Sequence, residues 1–221
     1  MSTVLVVTAH PADELLGPGA TLARHALFGD EVHAIVLTEG ATSRDHDDQA
    51  EALATSAKRA ARVLGLVSSE VLLPSGQRLG SVPLTEVTQR VEEVVDGLRP
   101  EVVYTHVPAD SDADHGITAR ATWTACGPYM LPRLKRFAVF ETPSTMEWAW
   151  LTQGTAFNPA LYVDVTQTLD DKLDAVSCYD TELRDYPHPR SLRALRERAA
   201  YWGSRVGRPA VEPFQVLREV C

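Results

Sequence analysis

A histidine and an aspartate near the N-terminus have the types and spacing to bind one metal ion. The aliphatic run that begins at Val4 predicts a buried strand, and Pro11 ends it because proline cannot donate a ladder hydrogen bond. His10 therefore stands at the carboxyl tip of the strand, and Asp13 follows on the loop that enters the next helix. The alternative reading of these two residues is that Asp13 caps a helix and His10 packs.

The elements that position these residues alternate along the chain. Strands are predicted over 4–10, 31–38, 69–73, 101–106, 136–141 and 161–165, and helices over 19–27, 49–64, 84–98, 167–182 and 190–204. This alternation predicts an α/β fold with a mostly parallel, doubly wound sheet. No linker rich in Pro, Gly or Ser divides the chain, so we expect a single domain over 1–221.

The loop after the fourth predicted strand should face His10, because a doubly wound sheet places its first and fourth strands together at the switch point. This loop contains Asp110, Asp112, Asp114 and His115. With His115, the set becomes two histidines and one carboxylate, and catalytic zinc sites use three such ligands and keep one position for water. Bound Zn²⁺ lowers the pKa of that water and polarises a carbonyl. Asp114 or Asp110 is expected to orient a histidine ring.

The same ligand set also suits Fe²⁺ or another divalent metal, so the ligand types alone leave the metal open. The other histidines are weaker candidates. His25 and His33 lie within predicted elements and are expected to pack. His46, in a polar segment predicted to be an irregular loop, and His106, at the end of a strand, are expected to contact substrate at most and not to bind metal.

The second half of the chain offers further candidates for the active site. His188 stands between two prolines just before the last predicted helix. It either marks the helix boundary or reaches the site as a general acid, with Arg190 as a substrate anchor. Trp148 and Trp150 either form a pocket wall, since aromatic faces suit sugar rings, or pack in the core.

Composition excludes several classes of function. The chain has 221 residues, a formal net charge of -9 and an isoelectric point near 5.2, which argues against nucleic acid or an anionic membrane as partner. Neither a signal-type segment nor an apolar run of membrane-spanning length is present, so we expect a cytoplasmic protein with a small-molecule substrate. Three widely spaced cysteines do not indicate a disulfide framework. Whether the chain forms a homo-oligomer stays open.

The opening motif resembles that of a known family. Residues 9–14, Ala-His-Pro-Ala-Asp-Glu, are similar to the AHPDDE signature of the PIG-L/LmbE-like N-acetylglucosaminyl deacetylases. The resemblance continues through 37–40, the Asp114–His115 pair, 124–126, 141–148 and 187–191. It implies a three-layer Rossmann-like fold and zinc held by His10, Asp13 and His115, with Asp114 as the acidic residue beside the last ligand. Such enzymes hydrolyse the N-acyl group of amino sugars, related glycans or antibiotic precursors.

The departures from the family pattern concern proton transfer and substrate binding. Ala12 stands where the family has the aspartate that acts as general base, and losing a positioned base costs a factor of roughly 10²–10⁴ in rate. Asp112, Asp110 or His188 would have to take over proton transfer. Gly127 replaces a family arginine, and a second arginine, usual near the start of the second long helix, is missing. Arg44 is a candidate to replace it.

The sequence thus predicts a zinc-dependent deacetylase or amidase that acts on an N-acylated small molecule. Three alternatives remain: a homologue inactivated at Ala12, a metal-containing biosynthetic enzyme with non-hydrolytic chemistry, and a non-catalytic ligand-binding protein.

Overall fold

The computed structural model describes residues 1–38, 46–73, 78–148, 157–180 and 182–221. The strands are β1 (Thr3–Thr8), β2 (Glu31–Val36), β3 (Ser68–Val71), β4 (Val102–His106), β5 (Arg136–Phe140), β6 (Leu161–Asp164) and β7 (Val211–Glu219). The helices are α1 (Asp13–Leu16), α2 (Gly19–Leu27), α3 (His46–Leu64), α4 (Leu84–Leu98), α5 (Ala113–Ala125), α6 (Leu169–Val176) and α7 (Leu192–Ser204), with a 3-10 turn at Leu79–Ser81. Among the described helices, none combines the length and the apolar character that crossing a membrane requires.

The strands form one sheet in the order β3-β2-β1-β4-β5-β7-β6. The first five strands of the chain run parallel to one another, and β7 runs antiparallel to both β5 and β6. This confirms the predicted mostly parallel, doubly wound sheet. β1 pairs with β2 on one side and with β4 on the other, so the switch point lies between β1 and β4, as predicted.

Helices cover both faces of the sheet and produce three layers. Successive side chains of β1 alternate between the two faces, as strand geometry requires: Val4 and Val6 belong to one core, and Leu5 and Val7 to the other. The first core includes residues of α1, α2, α3, α6 and α7, and the second includes residues of α4 and α5. Because β1 is buried on both faces, its four central residues, 4–7, are all aliphatic.

The fold differs from the sequence prediction in several places. The segment with Asp114 and His115 was predicted to be a loop, but it is the first turn of α5. β1 ends at Thr8, two residues before His10, and Asp13, predicted on a loop, begins the short helix α1.

β7 was not predicted, because Pro213 interrupts a segment that mixes apolar and charged residues. The strand tolerates Pro213 within the antiparallel β6–β7 ladder, where it faces Tyr162. His46 begins α3, whereas residues 41–48 were predicted to be irregular. Residues 41–45 lie outside the described chain.

Candidate metal centre and active site

The turn after β1 directs Asp13 back toward the end of its own strand. Ala12 has a φ of 74°, in the left-handed region, and it is the N-cap of the four-residue helix α1. This reversal lets the Asp13 Oδ2 atom accept the backbone N–H of His10 at 3.1 Å. The Asp13 side chain is almost fully buried, whereas His10 keeps 24% of its side chain exposed.

The second group comes from the start of α5, next to β1 across the switch point. Asp112 is the N-cap of α5, and its Oδ1 atom accepts the backbone N–H of Asp114 at 2.9 Å. His115 follows in the first turn, with only 1% of its side chain exposed. The sequence favours this cap because an aspartate precedes the helix and a second one lies in its first turn.

The predicted ligands converge on one carboxylate oxygen. Asp13 Oδ2 lies 3.5 Å from His10 Nδ1 and 3.2 Å from His115 Nε2. Each of the three residues offers a ligand atom, and these atoms lie within 4.8 Å of one another. Two imidazoles and a carboxylate at this spacing fit Zn²⁺, and also Fe²⁺.

An outer carboxylate faces the far nitrogen of each candidate ligand ring. Asp114 Oδ2 lies 3.3 Å from His10 Nε2, and Asp110 Oδ2 lies 2.9 Å from His115 Nδ1. The second contact is a close ion pair whose direction falls outside good hydrogen-bond geometry. Such partners hold the proton on the far nitrogen and leave the near nitrogen free to bind a metal. Thr145 supports Asp110 by donating its hydroxyl hydrogen to Oδ2 at 2.9 Å.

The charges in this cluster support one another. Burial by itself would lower the pKa of His10 and His115, but their carboxylate neighbours raise these pKa values to about 9 and about 10. Burial would raise the pKa of Asp13, yet the facing histidines, His115 first, hold it well below its usual range. Asp13 is therefore an anion at neutral pH, as a metal ligand must be.

His106 is a structural part of the site whose role the sequence analysis did not identify. Its ring stacks on His115 with centroids 3.8 Å apart and planes inclined by 10°. Its Nε2 atom accepts the backbone N–H of Ala9 at 3.0 Å, so Nδ1 carries the hydrogen and faces Thr142 Oγ1 at 3.0 Å. Burial, then the neighbouring His115, lowers the pKa of His106 well below its usual value. His106 is therefore neutral and supports the ring of His115 by stacking on it. In the sequence, the one indication of this role was the position of His106 at the end of a buried strand.

Neither Ala12 nor Glu14 offers a base to the candidate metal centre. Ala12 is fully buried, belongs to the apolar core and has no proton-accepting side-chain atom. Glu14 is buried as well, and its Oε1 atom accepts the hydroxyl hydrogen of Tyr179 at 3.3 Å. Burial raises the pKa of Glu14 to about 8, so its carboxyl group is protonated at neutral pH.

The other predicted residues lie on the segment after β5 and before α7. Trp148 is 62% exposed and contacts His188 edge to face, with ring centroids 5.6 Å apart. Arg190 donates to Glu182 Oε2 at 2.7 Å and to Ser144 Oγ at 2.9 Å. Within the described residues, these side chains make no hydrogen bond, ion pair or ring contact with the three candidate ligands. Arg44 and Trp150 lie outside the described residues.

An open cleft of about 620 Å³ leads to the exposed edge of His10. Asp112 and Asp114 are among the residues that line it. The other lining residues are Arg78, Gly80, Ser81 and Ala113, from the 3-10 turn and the start of α5. A substrate can therefore approach the candidate metal centre beside two carboxylates.

The amino-acid sequence is similar to a known protein family and to a bacterial protein named as a deacetylase. The sequence model of a family described as PIG-L, GlcNAc-PI de-N-acetylase, matches residues 5–126, more than half of the chain. The uncharacterized deacetylase YaiS of Escherichia coli (strain K12) is 28% identical over 174 residues, which cover 74% of this chain and 82% of that protein.

Solved structures share the fold over the whole length. The conserved protein TT1542 from Thermus thermophilus is 27% identical, with a TM-score of 0.78 and coverage of 100% of this chain and 97% of that one. The N,N'-diacetylchitobiose deacetylase from Pyrococcus horikoshii is 20% identical, with a TM-score of 0.78 over 98% of this chain and 84% of that one. At this lower identity, the second likeness concerns the fold alone.

Proposed function

The chain belongs to the PIG-L family, whose description is GlcNAc-PI de-N-acetylase, and on this premise we propose that it is a zinc-dependent hydrolase of an N-acylated small molecule. The substrate class is an amino sugar, a glycan or a natural-product precursor. The observation that carries the proposal is the convergence of His10 Nδ1 and His115 Nε2 on Asp13 Oδ2 beside an open cleft. These three residues would hold the metal.

A bound Zn²⁺ would supply an acidified water and polarise the substrate carbonyl. The protein's part is to keep the ligand rings in one tautomer. Asp114 faces the Nε2 hydrogen of His10, and Asp110 faces the Nδ1 hydrogen of His115. Each ring then presents its other nitrogen toward Asp13. The ring of His106 stacks on that of His115 and supports its orientation.

Asp112 is the residue that we assign to proton transfer in place of Ala12. It lines the cleft beside His10 and is only partly buried. Its Oδ1 atom accepts the cap hydrogen bond of α5, which leaves Oδ2 to take a proton from the attacking water and pass it to the amine that leaves. His188 is a weaker candidate, because the described contacts of its ring are with Trp148 and with the backbone N–H of Arg190.

Exchanging Asp112 for asparagine tests the assignment. Asp112→Asn keeps a side-chain oxygen to cap α5 but cannot accept a proton, so folding should survive while amine release falls by a factor of roughly 10²–10⁴. The measurement is amine release from a panel of N-acylated amino sugars by the zinc-loaded chain, with thermal unfolding as the folding control. Unchanged turnover in Asp112→Asn would remove Asp112 from the mechanism.

Restoring the family's base gives a matched pair of variants. In the Asp112→Asn background, Ala12→Asp should recover turnover, whereas Ala12→Asn, similar in size and equally tolerant of the left-handed conformation, should not. Recovery by both variants would mean that shape, not proton transfer, limits the rate.

A second candidate function is favoured by Ala12 itself. A chain with no base at this buried position can retain metal polarisation of a carbonyl and catalyse a non-hydrolytic step, or only bind a ligand. If neither the natural chain nor its Ala12→Asp variant releases amine while both hold zinc, this second candidate replaces the first. If only Ala12→Asp releases amine, the natural chain is a ligand-binding homologue.

A further inference from the structure

We propose that the substrate carries a carboxylate or phosphate group and that Arg78 binds it. The inference rests on the proposed function, because it assigns a chemical class to the substrate of the same cleft. Among the described residues that line the cleft, Arg78 is the only lysine or arginine. The other ionisable side chains of this lining are His10, Asp112 and Asp114.

The backbone of Arg78 is fixed at the rim of the cleft. Arg78 directly precedes the 3-10 turn, and its carbonyl oxygen accepts the Ser81 hydroxyl at 2.7 Å and the Ser81 backbone N–H at 2.9 Å. The turn also packs against α5, the helix that carries Asp114 and His115. Gly80 and Ser81 line the cleft beside Asp112 and Asp114, so the turn that follows Arg78 lies next to the candidate metal centre.

The guanidinium of Arg78 has no ion pair or hydrogen bond with any residue that the structure describes, although two carboxylates line the same cleft. Asp112 instead caps α5, and Asp114 faces His10. Arg190 and Arg198, in contrast, are each tied to glutamates. A cation left unpaired beside a catalytic cleft is available to a ligand.

Guanidinium chemistry and the size of the cleft define the class of ligand. Arginine presents planar N–H donors that match the two oxygens of a carboxylate or the oxygens of a phosphate. The cleft of about 620 Å³ has room for an acylated sugar with such a substituent. The scissile amide would then lie at His10 and the anionic group at Arg78, in the same cleft.

The test compares substrates that differ only in an anionic substituent. Amine release is measured from N-acetylglucosamine, its 6-phosphate and N-acetylmuramic acid, so that a neutral, a phosphate and a carboxylate compound are paired. The zinc-loaded natural chain should prefer at least one anionic compound in kcat/KM by about tenfold, the size of one charged hydrogen bond. The phosphate and carboxylate arms tell which anion it is.

The variants are Arg78→Gln, Arg78→Lys and, as a matched control, Arg59→Gln, which removes an exposed arginine of α3 that does not line the cleft. Arg78→Gln should abolish the preference through a higher KM for the anionic compound, with kcat little changed. Arg78→Lys should keep part of it, Arg59→Gln all of it, and added salt should weaken it. An unchanged preference in Arg78→Gln, or an equal loss for neutral and anionic compounds, would overturn the proposal.

Equilibrium binding separates this proposal from the proposed function. Calorimetry with glucosamine, glucosamine 6-phosphate and muramic acid needs no turnover. If no substrate releases amine but the anionic amines bind more tightly in an Arg78-dependent way, hydrolysis is refuted and the anion site stands. If amine is released with no charge preference, the proposed function stands and the role of Arg78 is refuted. Absence of both refutes both.

Discussion

At the scale of single residues, four nitrogen atoms surround one carboxylate oxygen of Asp13. The backbone N–H of His10, its ring Nδ1 and the Nε2 atoms of His106 and His115 all lie between 3.1 and 3.6 Å from Asp13 Oδ2. The three rings are not equivalent, because His106 Nε2 already accepts the backbone N–H of Ala9. We therefore assign metal binding to His10 and His115, and packing to His106.

This assignment predicts opposite results for two histidine variants. His10→Ala should abolish zinc binding, because it removes one of the three candidate ligands, and it should also lower stability, because the ring pairs with Asp13 and Asp114. His106→Phe should retain zinc, since the ring can still stack, but should lose about 1–3 kcal/mol of unfolding free energy because the Ala9 N–H is left unpaired. Zinc content by elemental analysis and urea unfolding check both. Full zinc in His10→Ala, or equal zinc loss in both variants, would contradict the assignment.

At the scale of elements, the helix that carries Asp13 is held from the second half of the chain. Lys172 of α6 donates to the carbonyl oxygens of Leu16 and Gly17 at 2.9 and 2.8 Å, at the end of α1, and to Glu212 of β7 at 2.6 Å. The Glu212 carboxylate in turn accepts the backbone N–H groups of Ala20 and Thr21, in the first turn of α2. Gly17 is required here, because a Cβ atom would overlap the ring of Phe140.

Breaking the buried pair should affect both stability and the metal. Lys172→Met leaves Glu212 buried without its partner, which costs about 3–5 kcal/mol, and it loosens α1, so zinc affinity should fall as well. Adding Glu212→Gln should recover part of the stability. Arg193→Gln, which breaks an exposed pair with Glu197, is the control and should change little. A loss in Lys172→Met no larger than in this control would refute the role of the pair.

The contact between β2 and β3 predicts a pH dependence of stability. His33 Nδ1 lies 2.8 Å from Ser68 Oγ, and burial lowers the pKa of His33 below its usual 6.5. The unfolded chain therefore binds more protons than the folded one as pH falls through 6.5, so this contribution is present above that pH and is lost below it. Unfolding free energies of the metal-free protein at pH 7.5 and 5.5 should differ less in His33→Gln than in the natural chain. Equal differences would show that His33 does not titrate in this way.

At the scale of the whole molecule, the sequence predicts the sheet well because alternation and buried aliphatic runs are local signals. The switch point between β1 and β4 follows from topology rules, and it brings His115 to His10. The sequence did predict Asp110 and Asp114 beside the ligand rings. The contacts of Thr145 with Asp110 and of Lys172 with Glu212 join residues 35 and 40 positions apart. No local spacing encodes which side chains meet over such separations, so these two more distant supporting contacts were not predictable. β7 was missed for a similar reason, since its pairing is entirely with distant strands.

The measurement that tests the central claim most directly is amine release from N-acylated amino sugars by the chain stripped of metal, then reloaded with zinc. The account predicts no release from the stripped chain and recovery on addition of Zn²⁺. It also predicts no recovery in His10→Ala, which lacks a ligand at the mouth of the cleft. Equal release with and without metal, or recovery in His10→Ala, would contradict the claim that His10, Asp13 and His115 form the catalytic metal centre of a deacylating enzyme.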